Sequence, residues 1–189
     1  MSGKIIIFAA PSGSGKSSII KELMKKNNLN LSFSVSATSR KIRTGEQEGK
    51  DYFFISEDEF KNKIENDEFI EWEQVYAGTY YGTLKSDVNS KLENQKNVVF
   101  DIDVIGALNI KKIFDQKAIS IFIQPPSIEI LEQRLRNRNT ENEQEIKKRI
   151  SKAEFELSFA EKFDKIIIND KLENAINETE KLISEFILN

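Results

Sequence analysis

The sequence contains neither cysteine nor histidine, and these two absences narrow its chemistry before any motif is considered. Without a thiol or an imidazole, the chain has no Ser-His-Asp triad, no cysteine nucleophile, no disulfide and no zinc site of the Cys/His type. Any catalysis must therefore rest on lysine, arginine, carboxylates, hydroxyls, backbone amides or a hard metal ion.

Long apolar runs and excess positive charge are also missing. The longest uninterrupted apolar run covers residues 5–10, which is too short for a signal-peptide core or a membrane span. The net charge of −3 argues against general binding to nucleic acid, because that binding needs a large cationic surface. We therefore expect a cytoplasmic protein without a membrane or nucleic-acid partner, as the lack of disulfides also suggests.

Arginine is scarce, since only six of the 28 basic residues are arginine. These six fall into two groups, Arg40 with Arg43, and Arg134, Arg136 and Arg138 with Arg149. A guanidinium grips a phosphate or carboxylate with two N–H groups at once, so both groups are candidate anion-binding sites. The alternative, that they are ordinary charges on helix surfaces, stays open at this point.

The hydrophobic pattern predicts an α/β protein. Short apolar runs, each followed by apolar residues at helical spacing, occur at residues 5–8, 98–100, 119–123 and 166–168. This alternation predicts a three-layer α/β/α core around a parallel sheet. Residues 34–86 break the rhythm and predict an inserted lobe of mixed β structure, with one short helix capped by Ser56. Residues 127–163 predict two charged helices that cover the core.

A phosphate-binding loop is the strongest motif. It runs from Ala10 to Ser18, directly after a predicted strand and before a predicted helix: Ala10, Pro11, Ser12, Gly13, Ser14, Gly15, Lys16, Ser17 and Ser18. The inner glycines let backbone N–H groups point at phosphate oxygens, Lys16 adds a positive charge, and the Ser17 hydroxyl is a ligand for Mg²⁺. A chance Gly/Ser turn is the alternative. We expect a nucleoside triphosphate as the ligand.

A second nucleotide motif follows at residues 98–103, where an apolar strand ends in Asp101 and Asp103. A carboxylate at the carboxyl end of a parallel strand lies beside the phosphate loop and can hold Mg²⁺ or its waters. We therefore predict Asp101 as a magnesium contact through water, while an exposed turn residue is the alternative.

Beyond these two motifs, the chain closely resembles guanylate kinases from its first strand to Asn169. The resemblance is carried by the block from Ser36 to Phe53, which includes Arg40, Arg43 and Tyr52, and by later motifs in the same order. These later motifs are residues 69–72, residues 80–83, Asp101 with Asp103, residues 125–127, and Asn169 with Asp170.

The resemblance implies transfer of a phosphoryl group from ATP to GMP, with Mg²⁺ as cofactor, by a core that carries an acceptor lobe and a lid. For the GMP phosphate it implies Arg40, Arg43, Tyr52 and Tyr81. For the guanine base it implies Ser36, Glu71, Thr83 and Asp103. For the transferred phosphoryl group it implies the lid residues Arg134, Arg138 and Arg149, which act with Lys16 and Arg43. For the adenine it implies Asn169 and Asp170.

In segments, the resemblance implies core at residues 1–35, 89–126 and 159–189, the GMP lobe at 36–88 and the lid at 127–158. It also suggests dGMP as a second acceptor and a monomer or homodimer. The chain departs from the family pattern in three places: one additional residue near Tyr76 to Gly78, Ile105 in place of glutamine, and Asn139 in place of glycine.

A carboxylate such as Glu71 suits guanine because it accepts from both the N1 and the N2 hydrogens, whereas adenine presents an acceptor at N1. The absence of histidine is consistent with this chemistry, since an ionised phosphate oxygen needs no general base. Two alternative functions remain. One is a kinase for another phosphorylated acceptor such as a ribose phosphate, and the other is an inactive guanylate-kinase-like module that binds proteins.

Overall fold

A computed structural model describes residues 3–137 and 142–188 of the chain. The chain divides into two compact units, residues 1–3 with 32–98, and residues 4–31 with 99–189. The strands are β1 (Ile5–Ala9), β2 (Leu31–Phe33), β3 (Ala37–Thr38), β4 (Phe53–Phe54), β5 (Phe69–Tyr76), β6 (Thr79–Leu84), β7 (Asn97–Asp101), β8 (Ala118–Gln124) and β9 (Lys165–Ile168). The helices are α1 (Lys16–Leu23), α2 (Glu57–Glu65), α3 (Lys85–Glu93), α4 (Val104–Phe114), α5 (Ile128–Arg136), α6 (Glu143–Leu157) and α7 (Leu172–Leu188).

The core sheet has the strand order β2-β7-β1-β8-β9, and β8 pairs in parallel with both β1 and β9. Every residue of β1 is buried, as expected for a central parallel strand that is covered on both faces. Ile6 and Phe8 of this strand join a core cluster that includes residues of α1 and α7. The predicted α/β class with a parallel sheet is therefore confirmed.

The second sheet has the order β4-β3-β6-β5 and is mixed, because β3 pairs in parallel with β4 but antiparallel with β6. Its core is aromatic: Phe60 of α2 stacks on Phe69 at 4.3 Å and on Tyr80 at 5.3 Å between ring centroids. The Ser56 side chain accepts a hydrogen bond from the Glu59 N–H and so begins α2 at the predicted residue.

One element differs from the sequence-based expectation. Helix α3 was not predicted, because only Val88 of its nine residues is buried and the apolar periodicity is correspondingly weak. Within the described ranges, we find no helix that combines the length and apolar character needed to cross a bilayer.

Candidate active site

The phosphate loop follows β1 and leads directly into α1. Gly13 and Gly15 have φ angles of 98° and 90°, which L-residues with a Cβ rarely adopt. The Ser14 N–H donates to the Pro11 carbonyl at 3.1 Å, and the Ile19 N–H donates to the Gly15 carbonyl at 3.1 Å. The two glycines therefore permit the tight curl that the sequence motif predicts.

The first turn of α1 carries no capping side chain and no acidic residue. By contrast, side chains cap the first turns of α2, α4, α5 and α6, which begin after Ser56, Asp103, Ser127 and Asn142. The N–H groups at a helix start must find acceptors, and an anion at this end is favoured by the helix dipole. The start of α1 is thus left open for a phosphate group.

A cavity of about 370 Å³ lies at this loop. It is lined by loop residues between Ala10 and Ser18, by Asp101, Ile102 and Asp103, and by Lys152 and Glu156. The Lys16 ammonium forms an ion pair with the Asp101 carboxylate and donates to the Ile102 carbonyl at 3.4 Å. The structure thus brings together the two motifs that the sequence predicts to be neighbours.

Asp103 lines the same cavity but also has a structural task. Its Oδ1 accepts hydrogen bonds from the N–H groups of Ile105 at 2.8 Å and Gly106 at 3.0 Å, and so begins α4. Ile105, which stands where the family pattern has glutamine, is 47% exposed. Its side chain can contribute no polar contact there.

Ser17 and Asp101 offer oxygen ligands of the kind that Mg²⁺ prefers. Among the described residues, no group of three or more histidine, cysteine, aspartate or glutamate side chains could hold a metal ion. This donor set fits a magnesium ion that takes most of its ligands from nucleotide phosphates and water, as is usual in kinases.

Helix α6 reaches the phosphate loop through one face. Arg149 Nη1 donates to Ser12 Oγ at 2.6 Å. Lys152 and Glu156, which follow on the same helix at positions three and seven residues later, line the cavity. Glu156 is 6% exposed, and burial raises the pKa of its carboxyl, although the charge of Lys152 and then that of Lys16 oppose the shift.

Arg134 binds to backbone rather than to the cavity wall. Its Nη2 donates to the carbonyls of Asn169 at 2.9 Å and Asp170 at 3.2 Å, just after β9. The Asn169 side chain is 4% exposed and its Nδ2 donates to the Ser14 carbonyl at 2.7 Å. The predicted adenine segment therefore contacts both α5 and the phosphate loop.

Two predicted positions, Arg138 and Asn139, lie outside the described residues. Arg136 forms ion pairs with Glu132 at 2.6 Å and with Glu143, which links α5 to the start of α6. Surface ion pairs are the alternative that the sequence leaves open for the arginines, and Arg136 does not share the helix face of Arg134.

In the other unit, Arg40 lies at the centre of the residues that the resemblance implies for binding the GMP phosphate. Its Nε donates to the Tyr81 hydroxyl at 3.0 Å, and its guanidinium lies 4.9 Å from the Tyr52 ring centroid and 5.5 Å from that of Phe54. The two terminal nitrogens donate to the Glu46 carboxylate at 2.7 and 2.6 Å. Three of the four predicted phosphate-binding side chains, Arg40, Tyr52 and Tyr81, are therefore in contact.

Arg43, the fourth, has an exposed side chain. Its backbone N–H donates to Glu46 Oε2 at 2.9 Å, so the same carboxylate binds both arginine positions. Hydrogen bonding from Arg40 lowers the pKa of Glu46 to about 2, and the Arg43 N–H contributes further to this shift. Glu46 is consequently ionised throughout the range of ordinary assays.

The predicted base-binding residues lie on β5 and β6. Glu71 pairs with Thr83 in the antiparallel register, and Thr83 Oγ1 donates to Glu71 Oε1 at 2.7 Å. Thr83 is 1% exposed, whereas Glu71 is half-buried. Ser36 is half-buried too, and its carbonyl accepts the Phe53 N–H at 2.9 Å.

The additional residue near Tyr76 to Gly78 leaves this pairing intact. The register shifts between Gln74 and Tyr76, beside the hairpin turn, and the strand is regular from Glu71 to Gln74. A second register shift lies between Phe69 and Glu71, and the pairs Glu71 with Thr83 and Glu73 with Tyr81 lie between the two shifts.

The sequence reasoning missed Glu46, Lys152 and Glu156. Glu46 sits three residues after Arg43, but carboxylates are common in exposed loops, and nothing in the sequence distinguishes this one. Lys152 and Glu156 had a usable signal, because they share a helical face with Arg149.

Comparisons with known proteins identify the family. The family model described as guanylate kinase matches residues 2–186. The guanylate kinase of Bacteroides thetaiotaomicron is 55% identical over 187 residues, which cover 99% of this chain and 91% of that protein. The guanylate kinase of Porphyromonas gingivalis is 50% identical, with 97% of this chain and 98% of that protein covered.

The fold is also similar to that of a solved structure. The crystal structure of guanylate kinase from Anaplasma phagocytophilum superposes with a TM-score of 0.75 at 29% identity, and covers 100% of this chain and 88% of that one. Together with the phosphate loop and the side chains around Arg40 and Glu71, these matches show that the chain belongs to the guanylate kinase family.

Proposed function

We propose that this protein transfers the γ-phosphoryl group of ATP to the 5′-phosphate of GMP, which gives ADP and GDP, and that the residues described above perform the transfer. The observation that carries the assignment of the acceptor is the register of β5 and β6. It sets Glu71 opposite Thr83, and Thr83 lies on the same face of β6 as Tyr81, which binds Arg40. Glu71, which we assign to the base, and Tyr81, which binds the phosphate-binding Arg40, thus lie on one face of one sheet.

Glu71 recognises the base. Its carboxylate accepts hydrogen bonds from guanine N1 and N2, while Thr83, which is buried and donates to Glu71 Oε1, orients that carboxylate. Ser36 and Asp103 supply further polar contacts to the base. AMP would leave a charge unpaired in this pocket, and sites of this type discriminate by factors on the order of 10⁴.

Arg40, Arg43, Tyr52 and Tyr81 bind the GMP phosphate. The Arg40 guanidinium is held in place by Glu46, by the Tyr81 hydroxyl and by the ring of Tyr52. Because the guanidinium is already held in place, it loses little side-chain entropy when GMP binds, and this favours affinity.

The phosphate loop binds ATP. Backbone N–H groups around Gly13 and Gly15 surround the phosphates, and the Lys16 ammonium exchanges its Asp101 partner for phosphate oxygens. An oxygen of the GMP phosphate then forms a bond to the γ-phosphorus as the bond to the bridging oxygen of ADP breaks. Lys16 and Arg149, with Arg43, Arg134 and Arg138 as implied by the family resemblance, neutralise the charge that spreads over the transferred group.

Magnesium belongs to this proposal as well, with Ser17 and Asp101 as its protein contacts. When bound, the ion supplies charge neutralisation to the phosphate oxygens. In segments, we propose that residues 36–88 form the acceptor lobe and residues 127–158 the lid, on a core of 1–35, 89–126 and 159–189. We also propose dGMP as an alternative acceptor, a monomer or homodimer, and a cytoplasmic location.

An acceptor panel tests this function. ADP release is measured with GMP, dGMP, AMP, UMP and ribose 5-phosphate, each with and without Mg²⁺, for the wild-type protein and for Glu71→Gln. We expect GMP to be used best, and we expect Glu71→Gln to raise the KM for GMP by about a hundredfold with little change in the KM for ATP.

Glu65→Gln is the control, because Glu65 is an exposed carboxylate of α2 in the same unit. It should leave both KM values unchanged. Efficient use of ribose 5-phosphate would support the alternative kinase instead, and a lack of turnover with every acceptor would support the protein-binding module.

A further inference from the structure

We infer that Asn169 is a positioning residue that fixes the phosphate loop, and that it acts on the triphosphate of ATP through the Ser14–Gly15 peptide. The family resemblance places Asn169 only in the segment near the adenine. This inference rests on the proposed ATP site and adds a task that the resemblance does not include.

The contact is specific in its direction. Asn169 Nδ2 donates to the Ser14 carbonyl at 2.7 Å, across 155 residues of sequence, and the side chain is 4% exposed. Among the described residues, Asn169 Oδ1 is buried without a hydrogen-bond partner. Rotating the amide by 180° would set Oδ1 against the Ser14 carbonyl oxygen, so the donor must face the loop. The Nδ2 hydrogen bond to Ser14 is therefore kept although Oδ1 of the same amide is buried without a partner.

The peptide geometry converts this contact into an effect on the ligand. In a planar trans peptide, the C=O and the following N–H point in opposite directions. Holding the Ser14 carbonyl on Asn169 therefore turns the Gly15 N–H away from Asn169, toward the side on which phosphate is expected. A loop whose N–H groups already point at the binding site loses less conformational entropy when the anion binds, and it therefore binds the anion more tightly.

Gly15 makes room for this contact. A Cβ at Gly15 would lie 2.2 Å from Asn169 Nδ2, so the amide fits only against a bare Cα. The glycine is thus required by the neighbouring amide as well as by its φ angle of 90°.

Arg134 holds the other side of the same segment. Its Nη2 donates to the carbonyls of Asn169 and Asp170, so α5 fixes the backbone from which the Asn169 side chain projects. The phosphate loop, the turn after β9 and α5 are therefore joined by consecutive hydrogen bonds.

Three residues at position 169 separate the possible roles, because their side chains have the same branching and the same number of heavy atoms. Asparagine presents a donor to the Ser14 carbonyl, leucine presents neither donor nor acceptor, and aspartate presents only acceptors. The full-length wild-type protein, Asn169→Leu and Asn169→Asp are compared by calorimetric binding of ATP, inorganic tripolyphosphate and GMP, with Mg²⁺ present, and by thermal unfolding.

We expect Asn169→Leu to weaken ATP and tripolyphosphate by the same factor, about tenfold, and Asn169→Asp to weaken both further. GMP binding should stay within twofold of wild type for both variants. Asn97→Leu is the control, because Asn97 is a comparably buried asparagine in the other unit, and it should leave tripolyphosphate binding unchanged.

Three results would overturn the inference. Weaker binding of ATP with unchanged tripolyphosphate would mean that Asn169 contacts the adenine. An equal loss for ATP, tripolyphosphate and GMP together with a lower Tm would mean that it only supports the fold. Unchanged binding of all three ligands would mean that the loop needs no such contact. None of these outcomes depends on which acceptor the enzyme phosphorylates, so they are distinct from a failure of the proposed reaction.

Discussion

The two regions that we propose to bind anions are built from different parts of the chain. The phosphate loop uses backbone N–H groups at the end of a fully buried strand, with one lysine and an uncapped helix start. The region around Arg40 uses side chains, namely a guanidinium that contacts aromatic rings, with a carboxylate, Glu46, on its terminal nitrogens.

The two regions therefore differ in what keeps their hydrogen-bond donors oriented. Backbone donors keep their directions as long as the local turn and its neighbours are intact, so the phosphate loop depends on glycines and on packing. Side-chain donors have rotamer freedom, so the Arg40 region depends on partners that hold the guanidinium. Substitution of Lys16 should therefore act through charge, because the backbone donors stay in place, whereas substitutions around Arg40 should act through the orientation of its guanidinium.

The largest effect is expected from Lys16→Ala, which removes the only lysine or arginine of the phosphate-loop motif. The backbone N–H groups remain, so ATP should still bind, but kcat should fall by about a thousandfold because the charge on the transferred group is no longer neutralised. Stopped-flow or coupled assays of ADP release measure this loss, and calorimetry measures ATP binding.

Lys21→Ala is its control, because Lys21 is an exposed lysine of the same helix. Its kcat and Tm should match the wild type. Near-normal turnover of Lys16→Ala would show that Lys16 does not take part in the transfer. It would also contradict the difference between the two regions.

A smaller effect is expected from Glu46→Gln. The neutral amide cannot accept from both terminal nitrogens of Arg40, so the guanidinium loses orientation, and the KM for GMP should rise about tenfold while the KM for ATP stays the same. Initial rates over both substrates measure this difference. Tighter GMP binding would show instead that Glu46 competes with the substrate phosphate.

The smallest effect is expected at Asp164, which belongs to neither region. Burial opposes ionisation of this carboxyl, but hydrogen bonds from Ser120 and an ion pair with Lys111 outweigh it and lower its pKa. A lowered folded-state pKa means that the contribution to stability is complete above the unfolded-state pKa and is lost as the pH falls through the folded-state pKa.

Asp164→Asn should therefore lower Tm by about 2–4 °C at pH 7, with a difference that shrinks as the pH falls below about 4. The pH dependence of thermal unfolding measures this, and kcat at pH 7 should be unchanged. A loss of turnover larger than the loss of stability would show that the core and the active site are not separable in this way.

The phosphate loop could be predicted from the sequence because its chemistry is local. The glycines, Lys16 and Ser17 are adjacent in the chain, and the flanking strand and helix are visible as hydrophobic patterns. The same holds for Asp101, which ends an apolar strand, and for the Ser56 cap of α2. For the Arg40 region, the composition suggested only an anion site, and the assignment of each residue came from the resemblance to the family.

The roles that sequence reasoning missed depend on contacts between distant residues. Thr83 and Glu71 are 12 residues apart and meet only through the β5–β6 register. Glu156 becomes a cavity residue only when α6 packs beside the phosphate loop. Helix α3 was missed for a related reason, since a helix with a single buried residue leaves almost no periodic signal.

Residue order alone determined the α/β class, the loop that binds phosphate, the chemistry open to a chain without histidine or cysteine, and the family. These features depend on neighbours along the chain and on the alternation of apolar and polar residues. Tertiary structure alone decided that Asn169 faces Ser14, that Glu46 holds Arg40 and that Thr83 orients Glu71. A hydrogen bond depends on direction and on distances of about 3 Å, and only packing of the folded chain sets these between separate segments.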